Sequence, residues 1–146
     1  MQADLTAELA GRLLTRSEKT VEGCRRWSGA HVPKGYGQIS VDGRVRSVHV
    51  VAHEIWIGPV PEGYEVDHVH AKGCRYRDCI EPSHLEAVTH AENIRRAKEL
   101  ITRCPKGHEY TPQNTMRGSG RAGHSYRRCR RCFYDDKKAR RARSRD

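Results

Sequence analysis

A short stretch in the middle of the chain carries six residues that suit metal binding or proton transfer, all within 27 positions. They are, in order, Asp67, His68, Cys74, Cys79, His84 and Asn93. Thiolates and imidazoles are preferred zinc ligands, whereas carboxylate and amide oxygens suit a hard cation such as Mg²⁺. The stretch therefore predicts two different sites whose residues are interleaved along the sequence.

The softer ligands predict a structural zinc site. Cys74, Cys79 and His84 supply three ligands from one short loop, and a structural site needs four. Cys24 is the only other cysteine in the first 100 residues, so we expect it to close a Cys3His site. The alternative is that these are ordinary loop cysteines, but grouped Cys and His residues more often bind metal than form disulfides in a cytosolic type of chain.

The remaining three residues are the set that metal-assisted hydrolysis of a phosphodiester requires. Asp67 and Asn93 offer oxygen ligands, and Mg²⁺ usually keeps several waters and takes few protein ligands. A histidine that binds no metal can accept a proton from an attacking water near neutral pH. For a lone histidine a buried structural role would be the better interpretation, but the neighbours of His68 favour catalysis.

The same stretch resembles the HNH, or ββα-metal, endonucleases, and its Cys-x4-Cys-x4-His-x8-Asn spacing is similar to that of the His-Cys box homing endonucleases. The resemblance covers residues 23–97, about half of the chain. It includes Cys24-x2-Trp27-x-Gly29, Gly35-Tyr36-Gly37 and Glu92-Asn93.

The resemblance implies a role for each matching residue. His68 would be the general base, Asn93 a ligand of a catalytic Mg²⁺ or Mn²⁺, and Asp67 a second ligand of that ion. His84 stands at the middle position of the HNH pattern, where the zinc-containing members use a zinc ligand. Adjacent residues on a regular strand point to opposite faces, so Asp67 and His68 can face one site only if the strand ends or twists there.

The chain departs from the family pattern at two places. Relatives commonly carry His-Arg where this chain has His49-Val50, and that arginine contacts DNA in the expected scheme. Arg44 and Arg46, on the preceding strand, are the candidate replacements. The separation between His68 and Cys74 is also longer than in the His-Cys box enzymes, which a loop tolerates.

Periodicity places these residues on secondary structure. Residues 5–14 have apolar positions at helical spacing, and residues 36–41 and 44–48 alternate around Asp42-Gly43, a dipeptide typical of tight hairpins. Residues 50–57 predict a short helix that carries Trp56 into the core and ends at Gly58-Pro59.

The catalytic residues are expected on a strand, loop, strand and helix. Residues 65–69 and 85–89 predict the two strands, with the zinc loop between them. A helix should begin near His90, with Thr89 as its cap and Glu92 at the third helical position. Asn93 then lies one turn into this helix, close to the strand of His68.

A second group of ligands lies near the C-terminus and predicts a second zinc site. Its members form two close pairs, Cys104-x3-His108 and Cys129-x2-Cys132. His124 is a competing ligand. A redox-active Cys-x2-Cys is a further alternative, but no βαβ pattern surrounds it. The Lys-Gly-His and Cys-x2-Cys segments also resemble an accessory element of phage-encoded HNH proteins.

The positive charge is concentrated in the last third of the chain. Residues 1–100 contain 14 Lys and Arg against 14 Asp and Glu, whereas residues 101–146 contain 14 against 4, so the net charge of +10 lies in the C-terminal part. Such runs suit the phosphate backbone of DNA, although a solvated basic surface is the common alternative. The predicted DNA-binding residues are Arg44, Arg46, Arg127, Arg128, Arg130, Arg131, Lys137 and Lys138.

The predicted fold class is α+β, a zinc-stapled ββα-metal HNH core with a β-hairpin, followed by a small zinc-ribbon or zinc-finger module. With 146 residues, 36% of them hydrophobic, the core is small and structural metal would stabilise it. We expect an N-terminal helix over residues 1–22, the nuclease domain over 23–100, the zinc module over 101–136 and a basic tail over 137–146. The N-terminal helix lacks the features of a signal peptide, and no segment is apolar enough to span a membrane.

These features predict a metal-dependent DNA endonuclease with two structural Zn²⁺ ions and a catalytic Mg²⁺ or Mn²⁺. The expected partner is double-stranded DNA, with no membrane, and a homodimer remains open. The resemblance implies a cytoplasmic setting in a bacterium or a phage-infected host, where homing, packaging and restriction all use such sites. The alternatives are a non-catalytic zinc protein that binds nucleic acid, and an RNA-directed nuclease. The low aromatic content of 6% disfavours the RNA alternative.

Overall fold

The computed structural model describes residues 2–120 and 125–144 and shows a mixed α+β chain. The N-terminal elements are α1 (Gln2–Thr15), β1 (Ser17–Lys19), β2 (Arg25–Trp27), β3 (Gln38–Val41), β4 (Arg44–Ser47) and α2 (Val48–Trp56). The remaining elements are β5 (Tyr64–His68), β6 (Leu85–Thr89), α3 (His90–Glu99), β7 (Thr115–Ser119), β8 (Ser125–Cys129) and α4 (Arg130–Arg143). Short 3₁₀ turns cover His70–Lys72 and Pro82–His84.

The strands form four antiparallel pairs, and each pair joins consecutive strands. The hairpin of β3 and β4 turns at Asp42 and Gly43, which have φ values of 49° and 73°. Two positive φ values in a two-residue loop are the geometry for which the Asp-Gly dipeptide is suited. The predicted hairpin is therefore confirmed, with strands that are shorter than the alternating pattern.

Two compact units divide the chain, Met1–Ile94 and Arg95–Asp146. The hydrophobic core of the first unit joins α1, β2, β3, α2, β5 and β6. Its fully or largely buried members are Leu9, Leu13, Trp27, Ile39, Val48, Val51, Ala52, Val66, Ile80 and Leu85. Among the described residues, no helix has the length and apolar character that crossing a membrane would need.

Helix α2 begins two residues before the predicted start, because its first residue is fixed by the neighbouring loop. The amide of Val48 donates to the carbonyl of Gly37 at 2.9 Å, and Val48 and Val51 are buried. A Cβ atom at position 37 would lie 2.5 Å from Cγ1 of Val48 and 2.7 Å from Cδ1 of Trp27. Glycine is therefore required where this loop passes between the core side chains.

The elements that carry the predicted catalytic residues follow in the order strand, strand, helix. Strand β5 pairs with β6 from Tyr64 opposite Thr89 to His68 opposite Leu85. Helix α3 starts directly after β6, and the Thr89 hydroxyl accepts a hydrogen bond from the amide of Glu92 at 3.3 Å. The predicted strand over residues 85–89 and the predicted cap at Thr89 are both confirmed. Asn93 is consequently placed one turn into the helix that leaves the β5 and β6 pair.

Candidate active site and metal centres

His68 is the last residue of β5, and its imidazole is oriented by a backbone carbonyl. The Nε2 atom lies 2.9 Å from the carbonyl oxygen of Cys79. Because a carbonyl oxygen only accepts hydrogen bonds, Nε2 must carry the proton and donate it. The Nδ1 atom is then left with a lone pair, which is the form that a general base needs.

Burial lowers the pKa of His68 below its ordinary value of 6.5. The hydrogen bond to Cys79 and the negative charges of Asp67 and Asp78 act in the opposite direction, but burial dominates. Lower solvation disfavours the charged imidazolium. The lowered pKa favours the neutral form of His68, which is the form able to accept a proton.

This shift predicts the pH dependence of any reaction that uses His68 as a base. The reactive form is the neutral one, so activity should be retained as the pH falls below 7 and lost only when His68 becomes protonated. We expect the acid limb of a plot of log kcat/KM against pH to have its midpoint below 6.5, the ordinary histidine value. An acid limb centred above 7 would mean that another group limits the reaction.

A second histidine, His49 on α2, lies against His68 and was not among the predicted site residues. The two imidazole centroids are 4.6 Å apart, and the ring of Tyr36 lies 5.8 Å from His49 and 6.2 Å from His68. His49 is only 8% exposed, and its Nδ1 atom is buried without a hydrogen-bond partner. Burial, and secondarily the neighbouring His68, lower the pKa of His49 to about 3. It is therefore a buried, neutral ring packed against the candidate base.

Asn93 is oriented by a carboxylate that sequence reasoning also missed. Its Nδ2 atom donates to Oε2 of Glu65 at 2.7 Å, and the other oxygen of Glu65 lies 2.7 Å from Nδ1 of His90. These partners lower the pKa of Glu65, Asn93 having the larger effect. Since the carboxylate accepts the amide hydrogens, the Oδ1 atom of Asn93 is left as the acceptor that a cation would use.

Asp67 shares a strand face with Glu65, because residues two apart on a strand point the same way. It is half-buried, and it pairs across the sheet with Glu86 in the register of β5 and β6. Its negative charge raises the pKa of His68, although His68 occupies the alternate position on β5. Asp67 therefore lies on the same face of β5 as Glu65, whose carboxylate binds Asn93. The spacing of Glu65 and Asp67, two positions apart on one strand, was the sequence signal that Glu65 shares a face with the candidate ligand Asp67.

The first group of zinc-type ligands is gathered in one buried cluster. One ligand atom each from Cys24, Cys74, Cys79 and His84 lies within 4.8 Å of all the others. The Sγ atoms of Cys24 and Cys79 lie 3.5 Å and 3.7 Å from Nδ1 of His84. All four side chains are buried. Three sulfurs and one imidazole around a common point are the donor set of a structural zinc site, and the four could hold a metal ion.

This cluster and the candidate base are joined through Cys79. The residue contributes its Sγ atom to the cluster and its carbonyl oxygen to His68. The backbone on both sides is fixed, because the amide of Ile80 donates to Arg25 at 2.8 Å and the carbonyl of Asp78 accepts from Trp27 at 3.0 Å. The position of the imidazole therefore depends on the fold of the metal loop.

Asp78 anchors the same loop through its side chain, which is 4% exposed. Its two oxygens accept hydrogen bonds from Nε and Nη2 of Arg26 at 3.2 Å and 2.9 Å, and His31 lies 3.3 Å from Oδ2. Paired hydrogen bonds between arginine and carboxylate are among the stronger polar contacts. An acidic residue directly before a ligand cysteine was the sequence signal for this anchor.

The second group of ligands is gathered in the C-terminal unit. Ligand atoms of Cys104, His108, Cys129 and Cys132 also lie within 4.8 Å of one another. The amide of Cys104 donates to His108 at 2.9 Å, and Gly107, with φ of +82°, allows the tight turn between them. These four residues could also hold a metal ion. The alternative ligand His124 lies outside the described residues.

The predicted DNA-binding residues fall into two groups, and the side chains of the first group have partners within the protein. Arg46 pairs with Glu54 at 2.6 Å, and Arg127 donates to the carbonyls of Lys98 and Ile101 at 2.7 Å and 2.8 Å. The Cζ atom of Arg128 lies 4.6 Å from the centroid of the Phe133 ring. The Nε atom of Arg130 donates to the carbonyl of Gln113 at 2.9 Å. The second group consists of Arg44, Arg131, Lys137 and Lys138, which are exposed, as are Arg128 and Arg130 of the first group.

Comparison with known protein families gives one match in the part of the chain that contains this site. Residues 46–95 match the family described as HNH endonuclease. The matched region begins in β4 and ends in α3, so it contains Asp67, His68 and Asn93.

Two curated proteins are similar over most of the chain. Protein 7.7 of Escherichia phage T7 is 32% identical over 97 residues, which cover 65% of this chain and 69% of that protein. Protein 2.8 of the same phage is 32% identical over 113 residues, which cover 75% of this chain and 73% of that protein. No solved structure matches significantly.

Proposed function

Because this chain belongs to the HNH endonuclease family, we propose that it is a divalent-metal-dependent DNA endonuclease that hydrolyses phosphodiester bonds. The observation that carries the proposal is the orientation of His68. Its Nε2 proton is bound by the Cys79 carbonyl at 2.9 Å, and its Nδ1 atom retains a lone pair. A neutral, oriented imidazole that feels the negative charge of Asp67 suits proton abstraction from water.

In the proposed reaction, Nδ1 of His68 accepts a proton from the water that attacks phosphorus. The hydrogen bond to Cys79 remains in place and is strengthened when the imidazole becomes positive. His49 cannot compete for this proton, because its pKa lies at about 3. The rings of His49 and Tyr36 pack against the base.

The residues that would hold the catalytic Mg²⁺ or Mn²⁺ are Asp67 and Asn93. The donor set fits a hard cation, since Asp67 supplies carboxylate oxygens and the amide of Asn93 has its oxygen left over from the contact with Glu65. Such an ion, when bound, neutralises charge on the phosphate and on the leaving oxygen. Glu65 acts on Asn93 and not on the substrate, so it is a positioning residue.

The two Cys and His clusters are proposed to bind structural Zn²⁺. In the first cluster, burial raises the pKa of Cys24, so a nearby dication is needed to stabilise buried thiolates. Neither cluster takes part in the chemical step. The first holds the loop that orients His68, and the second holds the C-terminal unit together.

Further features of the proposal follow from family resemblance and from the relatives. HNH chemistry would leave 5′-phosphate and 3′-hydroxyl ends. The division into residues 1–22, 23–100, 101–136 and 137–146 would separate an N-terminal helix, the ββα-metal nuclease domain, a zinc-ribbon or zinc-finger module and a basic tail. The similarity to two proteins of phage T7 supports a role in a phage-infected bacterial cell.

Incubation with supercoiled plasmid tests the proposed activity. The zinc-loaded protein should convert the plasmid to nicked or linear DNA when Mg²⁺ or Mn²⁺ is added, and not when both are omitted. The choice between nicked and linear product reports whether one strand or two are cut. A plasmid that stays intact but shifts in a gel would favour the non-catalytic, DNA-binding alternative.

Glu65→Ala should weaken the binding of the catalytic cation. Without the carboxylate the Asn93 amide loses its orienting partner, and loss of such a partner typically costs about 10–100-fold in metal affinity or activity. We expect the Mg²⁺ concentration for half-maximal cleavage to rise by about 10-fold or more, with the rate largely recovered at high Mg²⁺. The matched control is Glu62→Ala, since Glu62 is an exposed glutamate just before β5. Equal Mg²⁺ requirements for the two variants would show that Glu65 does not position Asn93.

A further inference from the structure

Helix α4 changes character halfway along its length. Its first half is anchored: Cys132 belongs to the second ligand cluster, the ring of Phe133 lies under Arg128, and Asp136 pairs with Lys106 at 3.1 Å. From residue 137 to residue 143 every side chain is exposed. Among the described residues, the hydrogen bonds, ion pairs and ring contacts that join α4 to other elements all involve its first half.

The second half of α4 carries a high density of positive charge. Five of its seven residues are cations and the other two are alanines, in the sequence KKARRAR. Lys137 lies three and four positions before Arg140 and Arg141, so like charges are neighbours on the helix surface and destabilise it. Short helices without tertiary contacts are marginal in water. A polyanion that neutralises these charges would therefore stabilise this part of α4.

The two alanines define one narrow face of the helix. Ala139 and Ala142 are three positions apart and project on the same side. At 3.6 residues per turn, Lys138 and Arg143 flank this face, each about 40° beyond the nearer alanine. The other cations, Lys137, Arg140 and Arg141, point away from it. The helix thus presents a small, uncharged strip with one long cation along each border.

This arrangement matches the dimensions of the major groove of B-form DNA. The groove is about 12 Å wide, and a helix with its side chains is about 10–12 Å across. Alanines facing the base edges would let the helix enter deeply, and cations on both borders would reach the phosphates of both strands. The deep and narrow major groove of duplex RNA does not admit such a helix.

We propose that duplex DNA stabilises the helix of residues 137–143, which lies in the major groove with Ala139 and Ala142 toward the bases and with Lys138 and Arg143 on opposite phosphate walls. The inference rests on the proposed function in taking duplex DNA as the partner. It assigns the main groove contact to the end of α4, and not to Arg127, Arg128 or Arg130, whose side chains have partners within the C-terminal unit.

Two variants separate the shape of the helix from its charge. Ala139→Leu combined with Ala142→Leu keeps every cation and a good helix former, but fills the face that should approach the bases. Its control, Ala139→Ser combined with Ala142→Ser, keeps the face small. Ala139→Pro also keeps every cation but prevents a continuous helix. We expect the leucine and proline variants to bind at least about 10-fold more weakly than wild type, and the serine variant to bind within a few-fold of it.

A matched pair tests the proposed orientation. Lys137→Gln and Lys138→Gln make the same chemical change at adjacent positions, but only Lys138 borders the alanine face. Loss of one phosphate contact should lower the slope of log K against log salt by about 1 for Lys138→Gln. For Lys137→Gln the slope should stay close to that of the parent.

Affinities are measured by fluorescence anisotropy with a 20-base-pair duplex and full-length, zinc-loaded protein that carries His68→Ala, so that the DNA is not cut. The ellipticity at 222 nm should gain helical signal when DNA is added, and should not do so with Ala139→Pro. Wild-type affinity of the leucine variant, identical slopes for the two lysine variants, or equally tight binding of a duplex RNA would each overturn the groove assignment. Plasmid cleavage is assayed separately: cutting without these binding effects refutes only the groove assignment, and the binding effects without cutting refute only the nuclease.

Discussion

Replacement of His68 with alanine is expected to lower the rate of DNA cleavage by roughly 10²–10⁴-fold, the usual contribution of a general base. The variant loses the imidazole whose Nε2 proton is bound by the Cys79 carbonyl and which lies near the charge of Asp67. His68 is not a member of either ligand cluster, so zinc content and DNA affinity should be unchanged. The measurement is a single-turnover rate of plasmid cleavage at saturating Mg²⁺.

His70→Ala is the matched control for this variant. His70 lies two residues further along the chain and is exposed, so it could serve as a rival base if the assignment of His68 were wrong. We expect the control to cleave at the wild-type rate. If His68→Ala retains that rate, or if His70→Ala alone loses it, His68 is not the base.

The second large effect is expected for Cys79→Ser. This change removes a buried ligand from the first cluster and disturbs the backbone that orients His68. The binding free energy of structural Zn²⁺, roughly 10–16 kcal/mol in zinc-finger peptides, is also folding free energy, so loss of the ion should cost several kcal/mol. We expect bound zinc to fall by one ion per chain, Tm to fall by at least about 10 °C, and cleavage to be lost with them.

Cys132→Ser provides the comparison, because it removes a ligand from the second cluster only. It should also release one zinc ion, but the ligands of the first cluster and the orientation of His68 should be preserved. Residual cleavage per bound DNA is therefore expected in Cys132→Ser and not in Cys79→Ser. Two zinc ions per chain in Cys79→Ser would contradict the structural role of the first cluster.

Several elements could be predicted because local sequence determines them. Asp42 and Gly43 favour a tight turn by their own backbone preferences, and Thr89 caps the helix that follows it. The two ligand clusters were also predictable, since thiols and imidazoles at these spacings rarely gather for another reason. Cys24 lies far along the chain from the other three members of its cluster, so its assignment depended on counting how many ligands the site still required.

The contacts that orient the candidate catalytic groups could not be predicted in this way. The hydrogen bond from His68 to Cys79 uses a backbone carbonyl, which has no signature in the sequence. The contact from Asn93 to Glu65 joins residues 28 positions apart, so only the register of β5 and β6 brings them together. Composition likewise indicated that Arg127 binds DNA, whereas its guanidinium also has internal carbonyl partners.

The most direct test of the account is the metal dependence of plasmid cleavage by the zinc-loaded wild-type protein. The account predicts conversion of supercoiled DNA to nicked or linear product only with added Mg²⁺ or Mn²⁺, and resealing of the nicks by DNA ligase because the ends are 5′-phosphate and 3′-hydroxyl. Plasmid that remains supercoiled at every concentration of either metal, although the protein binds it, would contradict the assignment of this chain as a nuclease.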